Sequence, residues 1–248
     1  MTILRLSKRA LSIIIFAALG FTLAFSLPVV SQEIMTTSSN HAPLSQPTNW
    51  QQASEQPESY SSTENISKQS PLTNPTSPTP EMVKFFERRT REHIERVRRN
   101  LAALASLPGY PQEILDRGEI HDQSKFVPPE RIPYIWLTEF HRRRQNGEAF
   151  TYPDGVEAQV EAAIQHHVTT NRHHPEFHTS PDEMSDIDLI EMVCDWTAIA
   201  QELGNNGSSA RQWADRTIGN REHFNFGEAK KQFIYRVIDD LDRQLMGG

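Results

Sequence analysis

Histidine and acidic residues that can bind a metal ion are grouped along this chain of 248 residues, which contains ten histidines. His93 stands alone, His121 and Asp122 are adjacent, and Asp195 follows in an apolar segment. Neutral imidazole and carboxylate ligands together suit zinc, manganese, iron or nickel, and no thiolate is required. An adjacent His and Asp offer one nitrogen and one oxygen ligand if the backbone turns there. The pattern predicts that these four residues bind one or two divalent transition-metal ions.

A second group of histidines lies in the segment 166–178, HHVTTNRHHPEFH. The candidate ligands are His166, His167, His173 and His174. The two pairs stand seven residues apart, which on a straight helix is a rise of roughly 10 Å, too far for one ion. Pro175 disfavours helix at the residue before it, which predicts that the helix ends near Thr170 and the chain bends. The first pair then becomes a candidate for a second ion, and the second pair for contacts with that ion or with a phosphate.

Two further residues are candidates for roles around the metal. Lys125 can contact a phosphate or stabilise developing negative charge, or it pairs with an acid. Glu191 lies one turn before Asp195 and shares its helix face, so it either orients a ligand histidine or forms a salt bridge. We take Lys125 and Glu191 as the candidate catalytic residues.

The elements that must position these residues are predicted to be helices throughout. No segment shows sustained alternation of apolar and polar residues, and Gly/Pro turns separate the helical periods. Helices are predicted at about 81–105, 111–117, 128–145, 155–170, 186–203, 208–218 and 227–246. The fold class is therefore all-α, a helical bundle, with Trp136, Trp196 and Trp213 in its core. The single Cys194 is predicted to be a buried side chain. Because one cysteine cannot form an internal disulfide, stability must come from packing or a bound metal.

The first 80 residues have a different composition. A basic start and an apolar run within residues 1–31 predict a secretory signal peptide, or else an uncleaved membrane anchor. Either would place the rest outside the cytoplasm: periplasmic, secreted or anchored facing outward. Residues 32–80 are rich in Ser, Thr, Pro and Gln and are predicted to be a disordered linker. The folded metal-binding domain is then 81–248, and the N-terminal segment is its only expected contact with a membrane.

The charge of the chain limits its partners. The formal net charge is −7, and it becomes more acidic without the basic N-terminal segment. Binding to a phosphate backbone needs clustered positive charge. The sequence therefore argues against general nucleic-acid binding.

The order of His93, His121-Asp122 and Asp195 resembles the H…HD…D signature of the HD-domain metal-dependent phosphohydrolase superfamily. The segment HDQSKF is similar to the HDxGK of the HD-GYP phosphodiesterases, and His166-His167 resembles the paired histidines of that branch. The GYP element is absent, so a cyclic dinucleotide substrate is not supported. More closely, HDxSKF, HHxxxNxHHPE and EMxxDW resemble a little-studied group of HD-like proteins in bacteria and phages. The resemblance covers about residues 85–200. It also makes His141 a rival ligand for a second ion, because dinuclear HD sites often draw a ligand from the helix after HD, although the three arginines that follow His141 favour a solvated face.

This resemblance implies an HD-domain-like bundle that hydrolyses a small phosphate ester or anhydride with the help of its metal. Two alternatives keep the site and change its use. Some HD-like proteins hold two irons and activate oxygen, and an exported histidine-rich domain can also bind or buffer metal without catalysis. Resemblance of fold alone does not decide among them.

Overall fold

The computed structural model describes residues 77–204, 209–218 and 224–247. The predicted signal or anchor segment, and nearly all of the predicted linker, lie outside the described residues. In the described ranges the chain forms seven α-helices and no strand beyond an isolated bridge between Ile218 and Phe224. The helices are α1 (Pro80–Ala105), α2 (Ile114–Ile120), α3 (Arg131–Gln145), α4 (Val156–Thr170), α5 (Asp186–Leu203), α6 (Ala210–Thr217) and α7 (Glu228–Met246). The all-α prediction is confirmed.

Local capping explains most of the helix boundaries. The Thr79 side chain accepts a hydrogen bond from the backbone of Met82, with Pro80 in the first turn of α1. Ser185 begins α5 with a capping box that pairs it reciprocally with Asp188. The predicted bounds differ most at the short helix α2, which runs through Gly118 instead of ending before it. A side chain at Gly118 would meet the Cγ atom of Arg98 at 3.0 Å, so glycine lets α2 pack closely on α1.

Two apolar clusters form the core, and α1 contributes to both. The smaller cluster joins the first turns of α1, including Phe86, to α3 and α4. The larger joins the later turns of α1, from Val97 onward, to α2, α5, α6 and α7. His93 lies on α1 between these two residues, so polar side chains gather where the clusters meet. Trp136, Trp196, Trp213 and Cys194 are buried. None of the helices in the described ranges is long and apolar enough to cross a membrane.

Candidate metal centre

Four side chains that are distant along the chain meet between the two apolar clusters. His93 comes from α1, His121 and Asp122 follow α2, and Asp195 comes from α5. The Nε2 atom of His93 lies 3.0 Å from Asp195 Oδ1 and 3.6 Å from Asp122 Oδ2. The Nε2 atom of His121 lies 3.4 Å from that of His93, and 3.7 Å from each of the same two oxygens. All four residues are buried, and we call them the first ligand group.

The spacing within the first ligand group suits ligands around one small cation. Nitrogen and oxygen ligands about 2.1 Å from a tetrahedral ion are separated from one another by about 3.4 Å. The measured separations, from 3.0 to 3.7 Å, bracket that value. A cation among them would also offset the cost of burying two carboxylates close together.

A second set of ligand atoms adjoins the first and shares Asp122 with it. His167 lies near the end of α4, and His173 and His174 lie in the loop that follows. One ligand atom from each of these histidines lies within 4.8 Å of the others. The Nε2 atom of His167 lies 3.2 Å from Asp122 Oδ1, and that of His173 lies 3.9 Å from the same oxygen. We call Asp122, His167, His173 and His174 the second ligand group.

Several atoms of the second ligand group are buried without a hydrogen bond to any described residue. They are Asp122 Oδ1, His167 Nε2 and His174 Nε2. Asp122 Oδ1 and His167 Nε2 lie close to each other, but their geometry is not that of a hydrogen bond. Buried polar atoms are normally paired, so three orphaned atoms in one place call for a missing partner. Imidazole nitrogens and a carboxylate oxygen are the donors that a transition-metal ion prefers. The residues therefore fit a second ion, with Asp122 between the two positions.

The backbone at Asp122 makes the turn that lets adjacent residues face the same centre. Helix α2 ends at Ile120, and Asp122 has a φ angle of +58°, in the left-handed region. Aspartate is among the residues that visit this region, but the conformation still has a cost. A 3-10 turn over Gln123–Phe126 follows at once. It returns Lys125 to the site, with Nζ 2.6 Å from Asp122 Oδ2.

Carboxylates behind the histidines hold the Nδ1 atoms and leave the Nε2 atoms facing the centre. Glu191 Oε1 lies 2.8 Å from the Nδ1 atom of His121 and 3.3 Å from that of His173. Glu130 Oε2 lies 2.9 Å from the Nδ1 atom of His167. An Nδ1–H that donates to a carboxylate fixes the ring and leaves the Nε2 lone pair for a metal. Glu191 and its two histidines also form a compact group, in which the carboxylate lies on the Nδ1 side of both rings.

Glu191 is itself fixed by ion pairs that join three parts of the fold. The Nε atom of Arg117, on α2, donates to Glu191 Oε2 at 2.6 Å. Arg117 also lies 3.3 Å from Asp188 on α5, and Arg172, from the loop after α4, donates twice to the same carboxylate. Glu191 is thus positioned to orient one histidine of each ligand group.

The environment keeps three of the ligands, His173, His174 and Asp122, in the form that binds metal. Burial lowers the pKa of His173, and that of His174 more strongly, and neighbouring histidines lower both further, so the rings are neutral. Burial raises the pKa of Asp122, but Lys125 and His121 outweigh it and hold that pKa well below its usual range. Metals bind neutral imidazole and ionised carboxylate, so these side chains need no further preparation.

The pKa of His121 shifts in the opposite direction to the pKa values of His173 and His174. Burial lowers its pKa, but the surrounding carboxylates of Asp122, Asp195 and Glu191 outweigh burial and raise it to about 10. Without a metal, the ring therefore carries a positive charge among three negative ones at neutral pH. A divalent cation can replace that proton and provide the same compensation, so metal binding at this site should release protons.

A narrow cleft borders the first ligand group. Apart from the ligands and Lys125, its walls include Phe86, Thr90, Tyr134, Thr138 and Ile199. Burial, followed by the charges of the nearby carboxylates, raises the pKa of Tyr134 well above its usual range. Its hydroxyl therefore remains a neutral hydrogen-bond donor. The cleft combines cationic, hydroxyl and apolar side chains beside the candidate ions.

Not every predicted ligand reaches the centre. His166 lies outside both ligand groups: its Nδ1 atom is 2.8 Å from Glu130 Oε1, and its side chain is 40% exposed. Adjacent residues on a helix point about 100° apart, so only one of His166 and His167 can face the centre. His141 is buried beside Phe140 in a different cleft, where burial lowers its pKa to about 3.

Apart from Glu191, the residues that support the ligands were missed by the sequence analysis. Glu130 is fully buried and pairs with two adjacent histidines, whereas the sequence analysis placed it only within the helix predicted at 128–145. Ser124 donates to Glu130 at 2.9 Å. Asn171 donates to the backbone carbonyl of His167 at 2.9 Å and closes the end of α4. Ser124 was part of the quoted HDxSKF pattern and Asn171 of the quoted HHxxxNxHHPE pattern, and these were the available signals.

Comparison with known proteins leads to a family and not to a function. No curated protein and no solved structure matches the chain. A family model, described as a family of unknown function (DUF5662), matches residues 82–240, which include both ligand groups and the carboxylates behind them. Because this match extends over more than half of the chain, the protein belongs to the DUF5662 family.

Proposed function

We propose that this protein is a metal-dependent hydrolase that acts on a phosphate ester or anhydride and holds up to two divalent transition-metal ions. The observation that carries the proposal is the pair of adjoining ligand groups that share Asp122. The HD-like order of the ligands along the chain supports it. So does the presence of a lysine beside the shared carboxylate.

Each part of the site has a role in this proposal. A bound divalent ion lowers the pKa of a coordinated water and polarises a phosphoryl oxygen. Lys125 lies beside Asp122, so it can contact a phosphate bound at the metal site. Its ammonium group would stabilise negative charge on that phosphate. Glu191 does not reach the cleft side of the rings and acts as a positioning residue. Glu130 has the corresponding role for His167 in the second ligand group.

The first test is elemental analysis of the purified protein together with a hydrolysis screen. The protein would be loaded separately with Zn²⁺, Mn²⁺, Fe²⁺ and Ni²⁺ and offered phosphomonoesters, phosphodiesters, nucleotides and pyrophosphate. We expect one or two ions per chain and metal-dependent phosphate release or diester cleavage. A protein that hydrolyses these substrates equally well after complete metal removal would refute the proposal.

The same experiment distinguishes the two alternatives. Tight metal uptake without hydrolysis of any substrate would favour a non-enzymatic metal-binding domain. Selective retention of iron, with oxygen consumption in place of phosphate release, would favour a di-iron oxygenase. Both outcomes would keep the ligand groups and reject the hydrolase.

We further propose that the domain functions outside the cytoplasm. The support is the basic and then apolar sequence of residues 1–31, which is typical of export signals. Fusion of residues 1–80 to a reporter that is active only after export should give reporter activity. A reporter that stays inactive while the fusion accumulates in the cytoplasm would contradict the proposal.

A further inference from the structure

Tyr134, on α3, carries a buried hydroxyl that no described residue satisfies. The residue is 3% exposed, and its Oη atom has no hydrogen-bond partner in the described part of the chain. Its ring is well held: it packs edge-on against the His167 ring at 5.5 Å, and the Lys125 ammonium lies 5.3 Å from its centroid. A buried hydroxyl without a partner is unfavourable compared with phenylalanine of the same shape. The hydroxyl therefore calls for a partner other than the described residues.

The surroundings of Tyr134 indicate what kind of partner this is. The residue lines the cleft together with His93, Asp122, Lys125 and Asp195. A phenol with an ordinary pKa of about 10 keeps its proton at neutral pH, and burial favours the protonated form further. It can therefore donate a hydrogen bond to an anion without adding charge. Lys125, in contact with the same ring, supplies a positive charge on the same side of the site.

We propose that the Tyr134 hydroxyl donates a hydrogen bond to a phosphoryl oxygen of the substrate, so that Tyr134 is a substrate-binding residue of the cleft. This inference rests on the proposed function, because it assigns the oxyanion to the substrate of that site. Inorganic phosphate should occupy the same position as a minimal ligand. The neighbouring hydroxyl-bearing residues Thr90 and Thr138 line the same cleft, which is consistent with a polar substrate group there.

Tyr110 provides a matched control elsewhere in the fold. Its hydroxyl donates to Asp240 on α7 at 2.7 Å, and the residue packs against the larger apolar cluster. Removal of this hydroxyl leaves the Asp240 carboxylate with its ion pair to Arg243 but without this hydrogen bond, and it should destabilise the fold. Removal of the Tyr134 hydroxyl should not. We therefore expect Tyr110→Phe to lower stability and Tyr134→Phe to lower ligand binding.

The test uses the full-length protein as wild type, Tyr134→Phe and Tyr110→Phe. Metal content, melting temperature and binding of inorganic phosphate to the metal-loaded protein by calorimetry would be measured for each. For Tyr134→Phe we expect unchanged metal content, an unchanged or raised melting temperature, and phosphate affinity and kcat/KM lowered by about 10- to 100-fold. For Tyr110→Phe we expect a lowered melting temperature and unchanged phosphate affinity.

Each remaining outcome has a defined meaning. Wild-type phosphate affinity in Tyr134→Phe would overturn the inference even if the protein is a hydrolase. A melting temperature lowered by several degrees would also overturn it, since the hydroxyl would then have a partner within the protein. Failure of the wild type to bind phosphate would refute the inference as well. Phosphate binding that depends on Tyr134, without hydrolysis of any substrate, would support the contact between Tyr134 and a phosphate but reject its role in substrate binding together with the proposed function.

Discussion

The two ligand groups share Asp122 but differ in how the fold builds them. Apart from Asp122, the first takes its ligands from three separate parts of the fold, whereas the second takes its histidines from the single segment 167–174. In the first group the ligand atoms already contact one another, while in the second several have no hydrogen-bond partner among the described residues. We therefore expect the first ion to bind a site that the tertiary fold holds ready, and the second to bind more weakly.

The largest expected effect comes from the residue that the two groups share. Asp122→Ala should remove both ions and lower turnover by about a thousandfold or more, since several kcal/mol of charge stabilisation are lost and each 1.4 kcal/mol is tenfold. Elemental analysis and the hydrolysis assay measure both effects. Asp116→Ala, an exposed aspartate on α2, is the control and should change neither. Retention of one full ion by Asp122→Ala would show that the groups are independent.

Substitutions unique to each group should separate the two ions. Asp195→Ala should release the first ion, and His174→Ala should release the second and retain the first, because each loses a ligand that the other ion does not use. Metal titration followed by calorimetry would show one binding phase in each variant and two in the wild type. Loss of both phases in His174→Ala would mean that the two groups form one inseparable unit.

Glu191→Gln should weaken both ions together. Glu191 holds His121 of one group and His173 of the other, and removal of such a supporting partner costs about 10- to 100-fold in metal affinity. Competition with a chelator measures the two affinities. Weakening of the first ion alone would show that the 3.3 Å contact with His173 does not orient that ring.

The pH dependence of stability should also change in Glu191→Gln. Burial raises the pKa of Glu191, but hydrogen bonds from His121 and His173 outweigh it and hold the pKa below the ordinary 4.5. Its contribution to the metal-free fold is therefore fully present above pH 4.5 and is lost as the pH falls below that value. Thermal unfolding of the metal-free proteins between about pH 6 and 3 should show a smaller acid-induced loss in the variant. Equal losses in both proteins would contradict this assignment.

The smallest effect is expected at His166. Because its ring faces Glu130 and solvent, His166→Ala should retain both ions, with affinities changed by less than about threefold, a free-energy change of well under 1 kcal/mol. Metal titration of His166→Ala and of His167→Ala in parallel compares the two adjacent histidines directly. Loss of an ion in His166→Ala would restore the sequence-based expectation that it is a ligand.

The helices could be predicted closely because their signals are local. Proline and acidic residues at the first turns, glycine and proline between the helical periods, and the apolar spacing of each segment act over a few residues. The helix 186–203 was predicted with the bounds that the structure has. The helix predicted at 111–117 ended too early, because glycine is locally a helix-ending residue. Gly118 is retained within α2 because its close contact with Arg98 on α1 depends on tertiary packing.

The sequence by itself determined the helical class, the residue types suited to a metal, and the bend after Thr170 that brings His173 and His174 back toward α4. Only the tertiary structure decided that His167 faces the centre instead of His166, and that Glu130 and Glu191 stand behind the rings. The physical reason is the range of the interactions. Backbone preferences and helix caps depend on neighbouring residues. Ligand geometry depends on the rotation and packing of helices that meet only in the folded chain.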